Sequence, residues 1–520
     1  VRKRKVGIID LVTKTRGGSL WGRTMNANFA SIMPQVVATW CEQEGHEVDL
    51  VCFTGREDLE FRFPDGVDFV FISSFTQASF LAYSLSKYFQ AQGAVTALGG
   101  PHARCYPQDA AKYFDYVFGF TSHDLVREAV AECAPHRPRG RRLSAPRQPL
   151  ELPGVRERWK FIRQTLRQAP IVKLVPMIGS MGCPYTCSFC IDAEVPYQPL
   201  SFDTIRDDLR FLRTQFKRPL VGWHDPNFGI RFEDYMSTIE EAVPPGSVDF
   251  IAESSLSLLS EPHLRRLRSN GFVAMLPGIE SWFEMGDKSK TGSRQGEEKL
   301  SAVTEHVNMV LRYIPYVQAN FVLGLDSDAG DEPYRLTKRF VDLVPGAFPG
   351  YSLLSAFGQA APLNLEYQRQ GRVLPVPFHF LNNNHAMNVK PRNYSWPDFY
   401  DHVIDITSHS FSWPNVANRF TAGASPFPKW ANLLRAVSSE GFGRLRYYRE
   451  IRHRLEHDRS FRAYWEGESP RLPDFYLNRI RHDLGALWEW FPQEALVHEP
   501  NAYLIEHLEE RLALATAAAA

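Results

Sequence analysis

No charge of either sign predominates in this chain. Its 59 Lys and Arg stand against 59 Asp and Glu in 520 residues, so net charge favours neither a nucleic-acid groove nor an anionic membrane surface as the main partner. A small or medium-sized organic molecule is the expected substrate, and no nucleic acid is expected. Long hydrophobic runs are also missing. No stretch approaches the roughly eighteen apolar residues that a membrane-spanning helix requires. The basic start, Val1 to Lys5, leads straight into a strand-like run, Val6 to Val12, without the apolar core or small-residue cleavage site of a secretory leader. Cysteine is scarce, with seven in all. Three fall within eight residues, while Cys41, Cys52, Cys105 and Cys133 are scattered through the first 133. Such a distribution builds no even disulfide framework and points to a reducing cytoplasm. The four scattered thiols give no support for a second cluster. No function is read into the Ala-rich end.

What is present is alternation. Val6 to Val12, Val48 to Phe53, Phe69 to Phe75, Val95 to Gly99 and Tyr116 to Phe120 read as strands separated by helical patterns. The expectation for residues 1–134 is therefore a doubly wound, flavodoxin-like parallel sheet of five strands. Residues 135–169 are rich in Pro and Arg and read as an exposed basic linker with one helix from Val155, its charge a solvated surface. From Ile171 the alternation resumes: Ile171 to Ile178, Leu220 to His224, Asp249 to Glu253, Val273 to Ile279, Val317 to Leu325 and Tyr351 to Ala356. Six such units over 170–361 predict a partial (β/α)6 barrel of the TIM type. In such barrels chemistry collects where strands end. Residues 362–520 read as a mainly helical, aromatic-rich cap. The fold class is thus α/β with a helical C-terminal region.

The densest chemical signal follows the first strand of the second α/β run. Gly182-Cys183-Pro184-Tyr185-Thr186-Cys187-Ser188-Phe189-Cys190 spaces its thiols C-x3-C-x2-C, which lets one loop hold three irons of a cuboidal [4Fe-4S] cluster and leaves the fourth open. A structural zinc site is the alternative, but it would want four ligands, and no further Cys or His lies in the next thirty residues. Inert buried cysteines are the other.

This motif, opening a six-unit βα run, resembles the radical S-adenosylmethionine (SAM) superfamily over roughly residues 171–356. The resemblance implies that the open iron chelates SAM and that an electron from the cluster cleaves it to a 5'-deoxyadenosyl radical, the cofactors carrying the difficult chemistry. It further implies an external electron donor such as a flavodoxin or ferredoxin. Phe189 matches the position that packs on the adenine, with a core Phe as the alternative. Asp225-Pro226-Asn227-Phe228 looks like the Asp-x-Asn-Phe segment after the second strand, which would turn Asp225 and Asn227 toward the cluster mouth; an ordinary Asp-Pro turn is the alternative. Gly278-Ile279-Glu280-Ser281 is similar to the Gly-x-Glu-Ser segment that brings polar groups to SAM. Gly324 is similar to the fifth-strand glycine that leaves room for it. Glu253, ending a strand, could bind the SAM amine or pair with Arg265 or Arg266.

Leu98-Gly99-Gly100-Pro101-His102-Ala103, followed by Phe114 to Gly119, resembles the cobalamin-binding domain that precedes the barrel in one large subfamily. Gly99 and Gly100 would allow close backbone approach to a bulky ring or its nucleotide tail at the switch point of the sheet. Ser73, Ser74 and the loop from Thr13 to Met25 would border the crevice, with His102 beside it or capping a turn. The chain departs from the pattern in two places. It lacks a D-x-H-x-x-G, so no histidine from that motif would reach cobalt, and Gly119 to Asp124 replaces the usual Gly-Glu-Gly-Glu. After the sixth strand, Ser355 to Leu363 and Gly371-Arg372-Val373-Leu374 parallel a further family stretch without its Pro-Gly-Thr, which implies a divergent substrate pocket. Phe378 to His385 and Asn393 to Tyr400 are candidates for its wall, with plain packing as the alternative.

The resemblance implies a cobalamin-dependent radical SAM enzyme, a methyltransferase acting on an unactivated carbon. The alternative is a radical SAM oxidoreductase, cyclase or rearrangement enzyme whose first domain keeps the fold without cobalamin. A zinc or iron-sulfur interaction module is the non-enzymatic reading.

Overall fold

The computed structural model describes residues 2–15, 20–63, 66–382, 384–423 and 425–504. Two six-stranded parallel sheets carry the architecture. The first contains β1 (Lys5–Leu11), β2 (Glu47–Phe53), β3 (Phe69–Ser74), β4 (Val95–Gly99), β5 (Tyr116–Phe118) and β6 (Arg141–Leu143), in the order β2-β1-β3-β4-β5-β6. The chain reverses direction across the sheet between β1 and β3, which makes that crevice the switch point. Both faces are buried. Val6, Ile8, Phe69 and Phe71 point into one core, and Ile9, Leu11, Val70 and Ile72 into the other, which is why these strands read as continuous apolar runs.

The sixth strand corrects the expected linker. Asp115 is fully buried and accepts from Arg137 Nε at 2.9 Å and from the His136 N–H at 3.0 Å. Arg137 thereby ties the basic run to the sheet edge and β6 pairs in parallel with β5, while the Arg137, Arg139, Arg141 and Arg142 side chains stay exposed, as the solvated reading expected. The expected helix follows at Trp159–Gln168.

The second sheet contains β7 (Leu174–Met177), β10 (Leu220–Trp223), β11 (Asp249–Ser255), β12 (Phe272–Glu280), β13 (Tyr316–Leu323) and β14 (Phe348–Leu353), each beside its neighbour in chain order. Between β7 and β10 lies an antiparallel clasp of β8 (Ser180–Met181) and β9 (Gln198–Pro199). This is the partial, open barrel expected. Beyond it, helices at Trp396–Ser410, Trp413–Ala422, Pro426–Val437, Phe442–His457, Arg459–Trp465 and Asp474–Leu484 form the C-terminal region. One continuous apolar core runs from a face of the first sheet through the barrel into these helices, so the three regions are packed as one body.

Among the described residues no helix is long and apolar enough to cross a membrane.

Candidate active site

The clasp positions the cysteine loop. Gly182 takes φ +69, and a Cβ there would sit 2.2 Å from the Pro196 carbonyl oxygen, so only glycine lets the two sides of the clasp close. The Cys183 N–H donates to the Val195 carbonyl at 3.2 Å, and the Cys190 N–H to that of Cys187 at 2.9 Å. All three thiols are free and half-buried. Burial pushes the Cys187 thiol up, with Lys288 opposing it, and pushes Cys190 up to about 11. Among the described residues no three His, Cys, Asp or Glu side chains converge on a point where one ion would sit. A cluster asks for something else, one thiolate to each of three separate irons.

Asp225 is not turned toward the cluster mouth. Its buried carboxylate accepts from the Gly179 N–H at 2.7 Å, the Ser180 hydroxyl at 2.8 Å and the Tyr235 hydroxyl at 2.5 Å. It therefore anchors the strand that leads into the cysteine loop. Burial raises this carboxyl, and the three donors oppose the rise. Asn227 is equally engaged. Its Oδ1 accepts from the Ser255 N–H at 2.9 Å, and the Ser255 hydroxyl continues to Ser257 at 3.0 Å and on to Tyr185 of the cysteine loop at 2.6 Å. The Asp-x-Asn segment holds the loop from two sides.

Glu253 pairs with neither arginine. Arg265 is bound to Glu261, and Arg266 to Glu233 and Glu240. Glu253 keeps accessible surface although protein encloses it, and burial raises its carboxyl, with Lys288 lowering it. Its open side faces the barrel interior. His224 behaves alike, accessible yet enclosed, its imidazole pushed down to about 4 by burial. Because Gly222 and Ile251 are register partners and side chains alternate faces, His224 and Glu253 project from neighbouring strands on the same, inner face.

Gly278 makes room for an ion pair. A Cβ there would lie 2.1 Å from Glu280 Oε1 and 2.8 Å from Lys288 Nζ. Glu280 itself stands at φ +65, where the register with β13 shifts, and its carboxylate binds the Lys288 ammonium. Burial pulls Lys288 down, but Glu280 more than offsets this, and the Cys187 and Cys183 thiols act in the same sense. Lys288 thus holds a positive charge beside the thiols. Ser281 is turned inward, accepting from the Phe283 and Glu284 N–H groups at 3.0 and 3.3 Å.

Gly324 leaves room for protein. At φ +89, its missing Cβ would lie 2.8 Å from Met387 Sδ and 3.0 Å from the Phe399 ring, so the C-terminal region fills the space expected for SAM.

In the first domain, Gly99 has nothing within 4 Å of where a Cβ would be, and with Gly100 and Ser73 it lines a cavity of about 180 Å³ shared with Ile8, Phe71 and Phe120. Gly100 packs its α-carbon face against Ser73 and Ser74. Ser74 is buried, its hydroxyl donating to the Phe75 carbonyl at 2.7 Å. His102 does not reach the cavity. It is fully buried, hydrogen-bonded through Nε2 to the Tyr83 hydroxyl at 2.6 Å and pushed down to about 3 by burial. The loop from Thr13 to Met25 falls partly outside the described residues; within them, Lys14 donates to the His379 carbonyl.

A second cavity, of about 500 Å³, joins all three regions. Phe189, Cys190 and Ile191 form its barrel wall, Phe75, Thr76, Gln77 and Pro101 its first-domain wall, and Leu381, Asn382 and Asn384 its C-terminal wall. Of the aromatic stretches expected to line a substrate pocket, Phe378, Phe380, Trp396, Phe399 and Tyr400 are buried packing instead. Leu381, Asn382 and Asn384 of the expected stretch do line the cavity, whereas nothing in the local sequence around Lys288 or His224 marks those two residues.

No family profile matches the chain. It is 22% identical over 298 residues to bacteriochlorophyllide d C-12(1)-methyltransferase of Chlorobaculum tepidum, a match that covers 56% of this chain and 64% of that protein, less than two thirds of its length. Among solved structures it is similar to the radical SAM methyltransferase TsrM of Kitasatospora setae with cobalamin and a [4Fe-4S] cluster bound, at TM-score 0.52 and 15% identity over 75% of this chain and 79% of that one. It is similar also to OxsB, a cobalamin-dependent SAM radical enzyme with aqua-cobalamin and SAM bound, at TM-score 0.52 and 12% identity over 95% and 80%. The chain has the fold of these enzymes: a parallel α/β domain, a partial barrel on a second six-stranded parallel sheet and a helical C-terminal region.

Proposed function

Starting from a chain with the fold of cobalamin-dependent radical SAM enzymes, we propose that this protein is a methyltransferase of that kind, acting on an unactivated carbon of a small or medium-sized organic substrate in the cytoplasm. The observation that carries the reading is the cavity in which Cys190 and Phe189 face Thr76, Gln77 and Pro101 of the first domain. A cluster on the barrel loop and a ring seated over β3 and β4 would meet across it.

Both groups suit the residues present. Cys183, Cys187 and Cys190 offer three free thiols, and the Lys288 ammonium favours the charged form of Cys187 and Cys190. The opening at Gly99 accepts a nucleotide tail, and the His102 imidazole, held by Tyr83, is not offered to cobalt. When bound, the cluster would supply the electron that cleaves SAM, and cobalamin would supply the methyl group.

The chain's own residues bind, orient and exclude. Asp225 and the Asn227–Ser255–Ser257–Tyr185 chain fix the cysteine loop. Glu253 and His224 face the barrel interior, where Glu253 would bind the SAM amine. The C-terminal region supplies one wall of the three-region cavity through Leu381, Asn382 and Asn384. Electrons would come from an external donor such as a flavodoxin or ferredoxin.

The test is anaerobic reconstitution with iron, sulfide and hydroxocobalamin, followed by a metal count and an assay for S-adenosylhomocysteine. Iron near four per chain with stoichiometric cobalt, and S-adenosylhomocysteine formed with substrate, are expected. Iron without cobalt would leave a radical SAM oxidoreductase, cyclase or rearrangement enzyme. SAM consumed without S-adenosylhomocysteine would remove methyl transfer.

A further inference from the structure

We infer that Arg104 is a positioning residue that couples occupancy of the first-domain cavity to the cluster loop at Cys190; the inference rests on the cobalamin and cluster reading above. Arg104 belongs to the short helix Pro101–Cys105 that leaves β4 directly after Gly99 and Gly100, and it lines the 180 Å³ cavity beside Phe120 and Gly119. Its guanidinium lies 4.7 Å from the centre of the Phe120 ring. From that position it reaches out of the first domain. Nη1 donates to Asp192 Oδ1 at 2.8 Å and Nη2 to the Ile191 carbonyl at 2.8 Å. The next contact is the cluster ligand itself, since the Asp192 N–H donates to Cys190 Sγ at 3.4 Å.

Three physical features make this a coupling device and not a surface ion pair. The two side chains are only 16% and 24% exposed, so the pair is shielded from the screening that leaves exposed pairs nearly neutral. The planar fork of Arg engages a carboxylate and a carbonyl at once, which fixes the direction of the Ile191–Asp192 backbone as a single-point ammonium would not. The N–H that Asp192 offers to sulfur is the kind of contact that tunes a ligand thiolate and its cluster. The same helix is also firmly seated on the barrel. A Cβ at Gly358 would lie 1.9 Å from the Cys105 carbonyl oxygen, and the Tyr106 hydroxyl donates to the Ala356 carbonyl at 3.2 Å. A ligand pressing on the Phe120–Arg104 wall therefore acts on a short, stiff path to Cys190.

Coupling of this kind is reciprocal: if occupancy of the cavity alters the cluster loop, the cluster alters affinity in the cavity by the same factor. The experiment is the binding of hydroxocobalamin to the full chain, followed by its visible absorption, with the cluster assembled and with it removed. For the unaltered protein the cluster-loaded form is expected to bind about tenfold more tightly. In Arg104→Ala and in Asp192→Asn, which keeps the volume and the backbone N–H of Asp192, the ratio is expected to fall toward one. Should Arg104→Ala fail to take up iron, the near-isosteric Asp192→Asn carries the test. The electron paramagnetic resonance spectrum of the reduced cluster supplies a second readout, changing on addition of cobalamin in the unaltered protein and not in either variant. A cluster-dependent affinity ratio that survives both substitutions overturns the role of Arg104. Cobalamin binding with a ratio of one in the unaltered protein overturns the coupling and leaves the cofactor reading standing, whereas no binding in either form overturns the cofactor reading with it.

Discussion

The Asp225 carboxylate accepts the backbone N–H of Gly179 at 2.7 Å, tying the end of the second barrel strand to the start of the cysteine loop. The Asp225→Ala protein would leave that N–H and the Ser180 and Tyr235 hydroxyls buried without their acceptor. The expected loss is about 3 kcal/mol of stability, together with a lower iron and sulfide content per chain. Denaturant unfolding and metal analysis of the same preparations measure both.

Lys288 acts on the thiols before a cluster is present. Burial holds the Cys187 thiol above its ordinary value, and the Lys288 charge brings it back down. Lys288→Met removes the opposing charge, so thiolate forms at higher pH, and the pH at which iron is incorporated during reconstitution should move upward. Adding Glu280→Gln, which removes the unpaired carboxylate, should restore stability and bring the pH profile part of the way back, because the Glu280 charge raises the same thiol that Lys288 lowers.

Gly99 and the cofactor tail can be separated from folding. Open space lies where a Cβ would project, so Gly99→Leu should alter stability by no more than about 0.5 kcal/mol while filling the first-domain cavity. Cobalamin retained after desalting should then drop about tenfold or more, an affinity change of about 1.4 kcal/mol.

Gly324→Ala should act on the C-terminal region. The new methyl group would meet Met387 and Phe399 at a backbone φ of +89, costing about 1–3 kcal/mol by overpacking and strain. Limited proteolysis should then cut preferentially between residues 378 and 395.

His102 gives the fold an acid limit. Its imidazole is pushed down to about 3 in the folded protein from an ordinary 6.5, so below pH 6.5 the unfolded chain binds a proton that the folded chain refuses. Stability is full above that pH and falls as pH drops from 6.5 toward 3, at up to about 1.4 kcal/mol per pH unit for one proton. Urea unfolding across pH 4–7 should show a shallower slope for His102→Gln than for the unaltered protein. An unchanged slope would mean that His102 takes up its proton near the ordinary value in the folded protein and contributes no acid limit.

Local pattern alone determined the two α/β regions and the three closely spaced thiols, because strand periodicity and a nine-residue loop depend only on neighbours in the chain. Tertiary structure decided which way the polar residues face. Asp225 answers to Gly179 and Ser180, His102 to Tyr83, Gly324 to Met387 and Phe399, and the Pro- and Arg-rich stretch to Asp115. A buried donor or acceptor must find a partner, and the partner it finds is set by which distant segment packs against it. Whether a side chain meets a cavity or another side chain is therefore a property of the packed molecule, absent from any window of its sequence.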